Sequence, residues 1–167
     1  GFPLPGVEVK VTHPETGAEL PDGETGNLEV RGPNVFLGYW RMPEKTAEEK
    51  RADGFFITGD LASRSTDGYV TIVGRAKDLV ITGGYNVYPK EIEGIIDDLP
   101  GVKESAVIGL PHPDFGEGVA AVVVPESAGA VDEAAVKAAL ADRVAKYKQP
   151  KAVFVIDELP RNTMGKV

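Results

Sequence analysis

Residues 119–124 read Val-Ala-Ala-Val-Val-Val, a continuous apolar run with no polar residue on either alternate face. So short a run, rich in β-branched side chains, predicts a strand covered on both faces, at about 118–124. The segments around it fit that requirement. A strand at about 102–110 precedes it, and a helix is expected from Pro89, which suits the first helical position, with Glu91 and Glu93 at the positive end of the dipole. Ile92, Ile95, Ile96 and Leu99 recur at the spacing that buries one helix face, and Pro100-Gly101 ends it. A second helix is expected from Asp132, a suitable N-cap, to Tyr147, with Val136, Leu140, Val144 and Tyr147 on one side. Pro150 closes it, and a last strand at 152–156 leads into a polar tail.

Before Gly74 the pattern differs. Val7, Val9 and Val11 alternate, the turn-rich stretch HPETGAELPDGETG follows, and then NLEVR, so residues 7–31 read as two strands joined by a long hairpin. Further strands are expected at about 55–58 and 69–73, separated by the turn dipeptide Asp67-Gly68. The expectation is a mixed α/β (α+β) chain: a strand-rich antiparallel part over 1–74 and a small α/β domain over 75–167, its short sheet flanked by helices.

Composition narrows the function classes. A hydrophobic fraction of 42% in 167 residues supports one domain or two small ones. No apolar run approaches the roughly 18 residues of a membrane span, and no leader-like segment opens the sequence, so a membrane or secreted role has no support in these residues. Cysteine is absent, and His13 and His112 stand far apart, which disfavours a zinc site and is compatible with a reducing cytoplasm. The net charge of −8 argues against nucleic acid as a partner. Lys137, Arg143, Lys146, Lys148 and Lys151 nevertheless form a basic stretch, readable as a solvated helix face with its C-terminal turn or as a contact for a phosphate-bearing ligand.

Three clusters carry candidate chemistry. Thr58-Gly59-Asp60 places an acid after a strand and a glycine, where it forms a turn or accepts hydrogen bonds from a ribose diol. Residues 74–93, GRAKDLVITGGYNVYPKEIE, bring Arg75 and Lys77 to the boundary between the two patterns. Gly83-Gly84 there reads as a hairpin turn or as a loop on which a ligand lies against backbone amides, and it fits neither the G-x-G-x-x-G dinucleotide pattern nor the phosphate loop. The tail PRNTMGKV carries Lys166, either on a frayed terminus or as an ammonium delivered to a developing phosphoryl transition state.

In order and spacing, GETGNLEVRGPNVFLGYW, DGFFITGD, GYVTIVGRAKDLVITGGYNVYPKEIE, VIGLPHPDFGEGVAAVVV and LPRNTMGKV resemble the adenylate-forming superfamily of acyl-CoA synthetases, luciferases and peptide-synthetase adenylation domains. The resemblance covers essentially the whole chain and is most like malonyl-CoA synthetases. It implies a ligase that uses ATP and magnesium to convert a carboxylate to an acyl-adenylate, and then passes the acyl group to coenzyme A. Carried over by motif, Asp60 would hold the ribose hydroxyls, Arg75 would contact the same nucleotide, and Lys166 would reach the substrate carboxylate and α-phosphate. Lys77 would be the hinge between half-reactions, and Gly83 and Gly84 would line the pantetheine passage. Residues 1–74 would then end the large N-terminal domain, and 75–167 would be the mobile lid.

The match has departures. Some relatives place an arginine where Asn86 stands, so a phosphate contact there is not carried over. The Ser/Thr/Gly-rich phosphate loop, the carboxylate pocket and the magnesium ligands would lie upstream, and relatives usually continue beyond Lys166, so this sequence is expected to be a C-terminal piece, inactive alone. In bacterial relatives the equivalent lysine is reversibly acetylated, so Lys166 is a candidate for a lysine acetyltransferase and deacetylase, which would remove the charge adenylation requires. The rival readings are another aryl or fatty acyl-CoA ligase, a carrier-protein-loading enzyme, or a non-catalytic module that binds nucleotide or a partner.

Overall fold

A computed structural model describes all of residues 1–167, which divide into two compact units, Gly1–Lys77 and Asp78–Val167. In the first, β1 (Glu8–Thr12), β2 (Thr25–Arg31), β3 (Phe56–Arg64) and β4 (Val70–Arg75) form a four-stranded sheet in sequence order, every pair antiparallel. The hairpin expected over 7–31 is present, with Val11 and Leu28 buried as cross-strand partners. β3 runs much further than the expected 55–58: Leu61 and Ala62 are buried and continue the ladder past Thr58-Gly59-Asp60, which is a distortion within the strand rather than its end. The Asp67-Gly68 turn closes β3 onto β4, with Gly68 at φ +87° and its N–H donating to the Ser65 carbonyl. Helix α1 (Pro43–Glu49) is not announced by the sequence pattern: it buries no residue, so it has no apolar stripe to betray it.

In the second unit β5 (Val80–Thr82), β6 (Tyr85–Val87), β7 (Val102–His112), β8 (Gly116–Pro125) and β9 (Ala152–Val155) form a five-stranded sheet. β8 lies at its centre. One edge carries β7 antiparallel along its whole length; the other carries β5 at Gly116 and then β9, parallel, from Ala120 to Val123. Val119, Ala121 and Val123 face α2 (Pro89–Asp97) and α3 (Glu133–Ala141), joining Ile92, Ile96, Val136 and Leu140 in one core. On the alternate face Ala120 and Val124 are also buried, so burial on both sides holds for the run that predicted it.

The second helix corrects the sequence reading. Asp132 caps it as expected, its Oδ1 accepting from the Ala135 N–H at 2.8 Å, but α3 ends at Ala141 rather than Tyr147. Gln149 Nε2 donates to the Ala141 and Val144 carbonyls at 3.0 and 3.4 Å, supplying donors to groups a longer helix would have bonded internally. The chain then re-enters a short 3₁₀ turn at Lys146–Lys148, which keeps Val144 and Tyr147 against the core although the helix has stopped. No helix in the chain is long and apolar enough to cross a membrane.

Candidate functional site

Asp60 owes its position to an irregular ladder. Asn27 pairs with Leu61 and Glu29 with Ile57, so Thr58, Gly59 and Asp60 together stand opposite Leu28 alone. Gly59 takes φ +77°, and the Thr58 hydroxyl holds the bulge shut, donating to the Leu28 carbonyl at 2.9 Å and accepting from the Asp60 N–H at 3.1 Å. A second slip occurs across the sheet between Leu61 and Ala62, where β4 has the extra residue and Gly74 sits at φ +155°. Between these two bulges Asp60 and Arg75 become direct cross-strand partners, Arg75 Nε 3.0 Å from Asp60 Oδ1. Such bulges re-aim side chains at sheet rims. Here they produce an acid and a base side by side, both open to solvent at side-chain exposures of 26% and 55%.

Lys77 lies in a 3₁₀ turn, Ala76–Asp78, at the limit between the two units. Gly83 and Gly84 form the two-residue turn between β5 and β6, at φ +56° and +82°. Positive φ at both central positions is the geometry such hairpins prefer, so the hairpin-turn reading of the pair is correct at the backbone level. The Gly83 N–H donates to the Phe115 carbonyl at 2.9 Å, tying this turn to the β7–β8 connection. Tyr85 stacks on Tyr147 with ring centroids 4.6 Å apart, and Asn86 is exposed on β6 opposite Ile81.

The tail is built rather than frayed. Asn162 Oδ1 accepts from the N–H groups of Met164 and Lys166, at 2.9 and 3.1 Å. Arg161 pairs with Glu104 on β7 and donates through Nη1 to the Gly165 carbonyl at 3.1 Å. Sequence reasoning singled out Lys166 but not Asn162, Arg161 or Glu104. An Asn four residues before Lys166 was the available signal, since Asn side chains commonly bond backbone a few residues on.

The basic stretch resolves into separate uses. Lys148 pairs with Glu91 at 2.7 Å and Lys137 with Glu133 at 2.6 Å, while Lys151 sits 5.6 Å from the Phe115 ring centre. Lys137, Lys146, Gln149 and Lys151 also line an open cavity of about 400 Å³. Asp60 and Arg75 belong to the first unit, and Gly83, Gly84 and Lys166 to the second. No group of three or more His, Cys, Asp or Glu is placed to hold a metal ion.

Comparison with known proteins gives a consistent family. Residues 91–166 match the AMP-binding enzyme C-terminal domain and residues 1–40 match the AMP-binding enzyme family. A feruloyl-CoA synthase from Amycolatopsis is 45% identical over 167 residues, all of this chain and 34% of that protein. Crystalline ATP-bound MatB from Rhodopseudomonas palustris is 65% identical with a TM-score of 0.94, over 100% of this chain and 33% of its own. The o-succinylbenzoate CoA synthetase MenE of Bacillus subtilis, in complex with its acyl-adenylate intermediate, is 32% identical with a TM-score of 0.92, over 100% of this chain and 34% of its own. The chain spans about a third of the length of the curated relatives it matches.

Proposed function

This chain belongs to the adenylate-forming superfamily of AMP-binding enzymes as a carboxy-terminal portion, and from that we propose that it supplies the end of the nucleotide site and the mobile lid of an ATP-dependent acyl-CoA synthetase. The reaction has two halves. A carboxylate attacks the α-phosphate of ATP to give acyl-adenylate and pyrophosphate, and the thiol of coenzyme A then displaces AMP to give acyl-CoA. Malonate or methylmalonate is the proposed acid, carried by one observation: the 65% identity to MatB, a malonyl-CoA synthetase, against 45% to the feruloyl-CoA synthase.

Residues 1–74 would complete the large domain and 75–167 would form the lid. Asp60 accepts hydrogen bonds from the two ribose hydroxyls, a role that suits a carboxylate held at a strand bulge with an oxygen to spare beyond its ion pair. Arg75 beside it lends positive charge to the same nucleotide. Lys166 adds charge where two anions meet during attack on the α-phosphate, lowering the barrier only while it is in place. Rotation about Lys77 then withdraws Lys166 and brings the Gly83-Gly84 turn to the pantetheine arm, where the absence of side chains leaves room for it. Magnesium, when bound, neutralises the triphosphate; its ligands would come from residues upstream. Nε-acetylation of Lys166 would remove the charge used in adenylation and spare the thioester step. A cytoplasmic setting, where ATP and coenzyme A are available, suits this chemistry.

The test uses the complete polypeptide. Pyrophosphate release is measured with ATP, magnesium and malonate, methylmalonate, acetate, benzoate or octanoate, in the natural protein and in Lys166→Ala. Release greatest with malonate, falling about 10²–10³-fold in the variant as expected for loss of one preorganised charge, supports the reading. Preference for another acid keeps the mechanism and replaces the substrate; release that ignores Lys166 overturns the role of the lysine, and no release with any acid leaves a binding module as the alternative.

A further inference from the structure

A lysine on an irregular segment is a poor catalyst unless its backbone is fixed, because four rotatable side-chain bonds already scatter its ammonium. Beyond β9 the chain has no regular secondary structure, and Arg161–Val167 are all exposed, so burial does not order them. They are ordered nonetheless. The Gly165 N–H donates to the Asn162 carbonyl at 2.9 Å and the Lys166 carbonyl accepts from the Asn162 N–H at 2.8 Å. The Lys166 N–H goes to Asn162 Oδ1 at 3.1 Å, and the Gly165 carbonyl takes Arg161 Nη1 at 3.1 Å. Every backbone polar group of Gly165 and Lys166 is therefore engaged by Arg161 or Asn162. Gly165 closes the loop at φ +75°, a conformation that favours glycine. The loop in turn is tied to the body of its unit, since the other arm of the Arg161 guanidinium pairs with Glu104 on β7, whose ladder with β8 is the longest in the unit.

We propose that Asn162, Arg161 and Glu104 are positioning residues for Lys166: they form a rigid clasp that fixes the origin of its side chain, so that the ammonium arrives at the reacting phosphate already aligned. The proposal rests on the reading of Lys166 given above. It makes a selective claim. The clasp matters for the half-reaction in which Lys166 acts and is immaterial to the one from which Lys166 is withdrawn. Misplacement by about 1 Å can cost roughly 10²-fold in rate, which sets the scale expected.

The experiment compares Lys166→Ala, Asn162→Ala, Asn162→Asp and Glu104→Ala in the complete polypeptide. Adenylation is followed by pyrophosphate release, and thioester formation is started separately from synthetic acyl-adenylate. Asn162→Ala is expected to slow adenylation about 10- to 100-fold and to leave thioester formation within about twofold, with Glu104→Ala showing a smaller loss of the same kind. Asn162→Asp keeps a side-chain oxygen for both N–H groups and should recover most of the rate. Amide hydrogen exchange at Met164 and Lys166 should accelerate in Asn162→Ala and not in Asn162→Asp. If Lys166→Ala abolishes adenylation while Asn162→Ala and Glu104→Ala leave it intact, the clasp is wrong and the role of Lys166 stands. Equal loss of both half-reactions in Asn162→Ala, or no recovery in Asn162→Asp, also overturns the clasp. Undiminished adenylation in Lys166→Ala removes the reading on which it rests.

Discussion

Glu29 sits in β2 with no solvent exposure, a place where a carboxylate is costly unless it is met by charge. Three side chains meet it. Arg51 donates to Oε1 through Nη2 and Nε at 2.8 and 3.0 Å, the Thr12 hydroxyl donates to the same oxygen at 2.7 Å, and Lys10 Nζ stands 3.5 Å from Oε2. Burial pushes the Glu29 carboxyl up, but the hydrogen bonds from Arg51 and Thr12 and the charges of Arg51 and Lys10 outweigh it and hold the carboxyl below the ordinary glutamate value. A folded-state value that is lowered contributes stability above the unfolded value and loses it as pH falls through the folded one. The first unit should therefore lose stability on acidification below the ordinary glutamate range, and Glu29→Gln should flatten that part of the pH profile of urea unfolding. Arg51→Met should cost on the order of 2–3 kcal/mol at neutral pH, less than the 3–5 of a fully buried pair because Lys10 remains and Arg51 is partly hydrated. Alternation in NLEVR gave no warning of this, since it reads Glu29 as the solvent-side neighbour of Leu28. The burial arises because Arg51, distant in sequence, folds over that face.

Among the elements, the join between α2 and β7 is the most informative. Ile92 and Ile96 carry the apolar contact, as their spacing implied, but Glu93 beside them is also buried. Its Oε1 accepts from the Val107 N–H at 2.8 Å, and Lys90 Nζ lies 2.6 Å from Oε2. β7 is an edge strand with β8 on one side only, so this N–H has no strand to pair with and the helix supplies the acceptor. Glu93→Ala should cost about 1–3 kcal/mol in denaturant unfolding, the penalty of a buried donor left without a partner, whereas Glu93→Gln keeps the acceptor and should cost less than half of that. A glutamate in the first two turns reads from sequence as a dipole effect. Its use as a sheet-edge acceptor depends on where β7 docks.

At the scale of the whole molecule, the chain is two units joined at Lys77–Asp78, and the proposed cycle assigns the nucleotide grip to one and the catalytic lysine to the other. If Lys77 absorbs the backbone change between half-reactions, Lys77→Pro should affect the two unequally: proline fixes φ near −65° and keeps only conformations compatible with that value. Rapid-quench measurement of adenylation and of thioester formation in the complete polypeptide checks this; equal effects on both would remove Lys77 as the hinge. The change from alternating, turn-rich sequence to helix-and-strand sequence near Gly74 is visible because the two parts bury their faces in different ways.

By itself the sequence determined the elements whose side chains have one periodic apolar face or none that is polar: the Val119–Val124 strand, the Ile92–Ile96 helix face, the hairpin over 7–31 and the turn at Asp67-Gly68. It also marked Asp60, Arg75, Gly83, Gly84 and Lys166 as the residues on which a family mechanism would depend. Tertiary structure alone decided what polar side chains do once strands are in register. It placed Thr58-Gly59-Asp60 in a bulge so that Asp60 faces Arg75, ended α3 early where Gln149 supplies donors, buried Glu29 and Glu93, and turned Asn162 back on Lys166. Periodicity records which face leaves water, and that is a local property. A hydrogen bond between residues far apart in the chain exists only when the fold brings donor and acceptor within about 3 Å, and no local pattern encodes that distance.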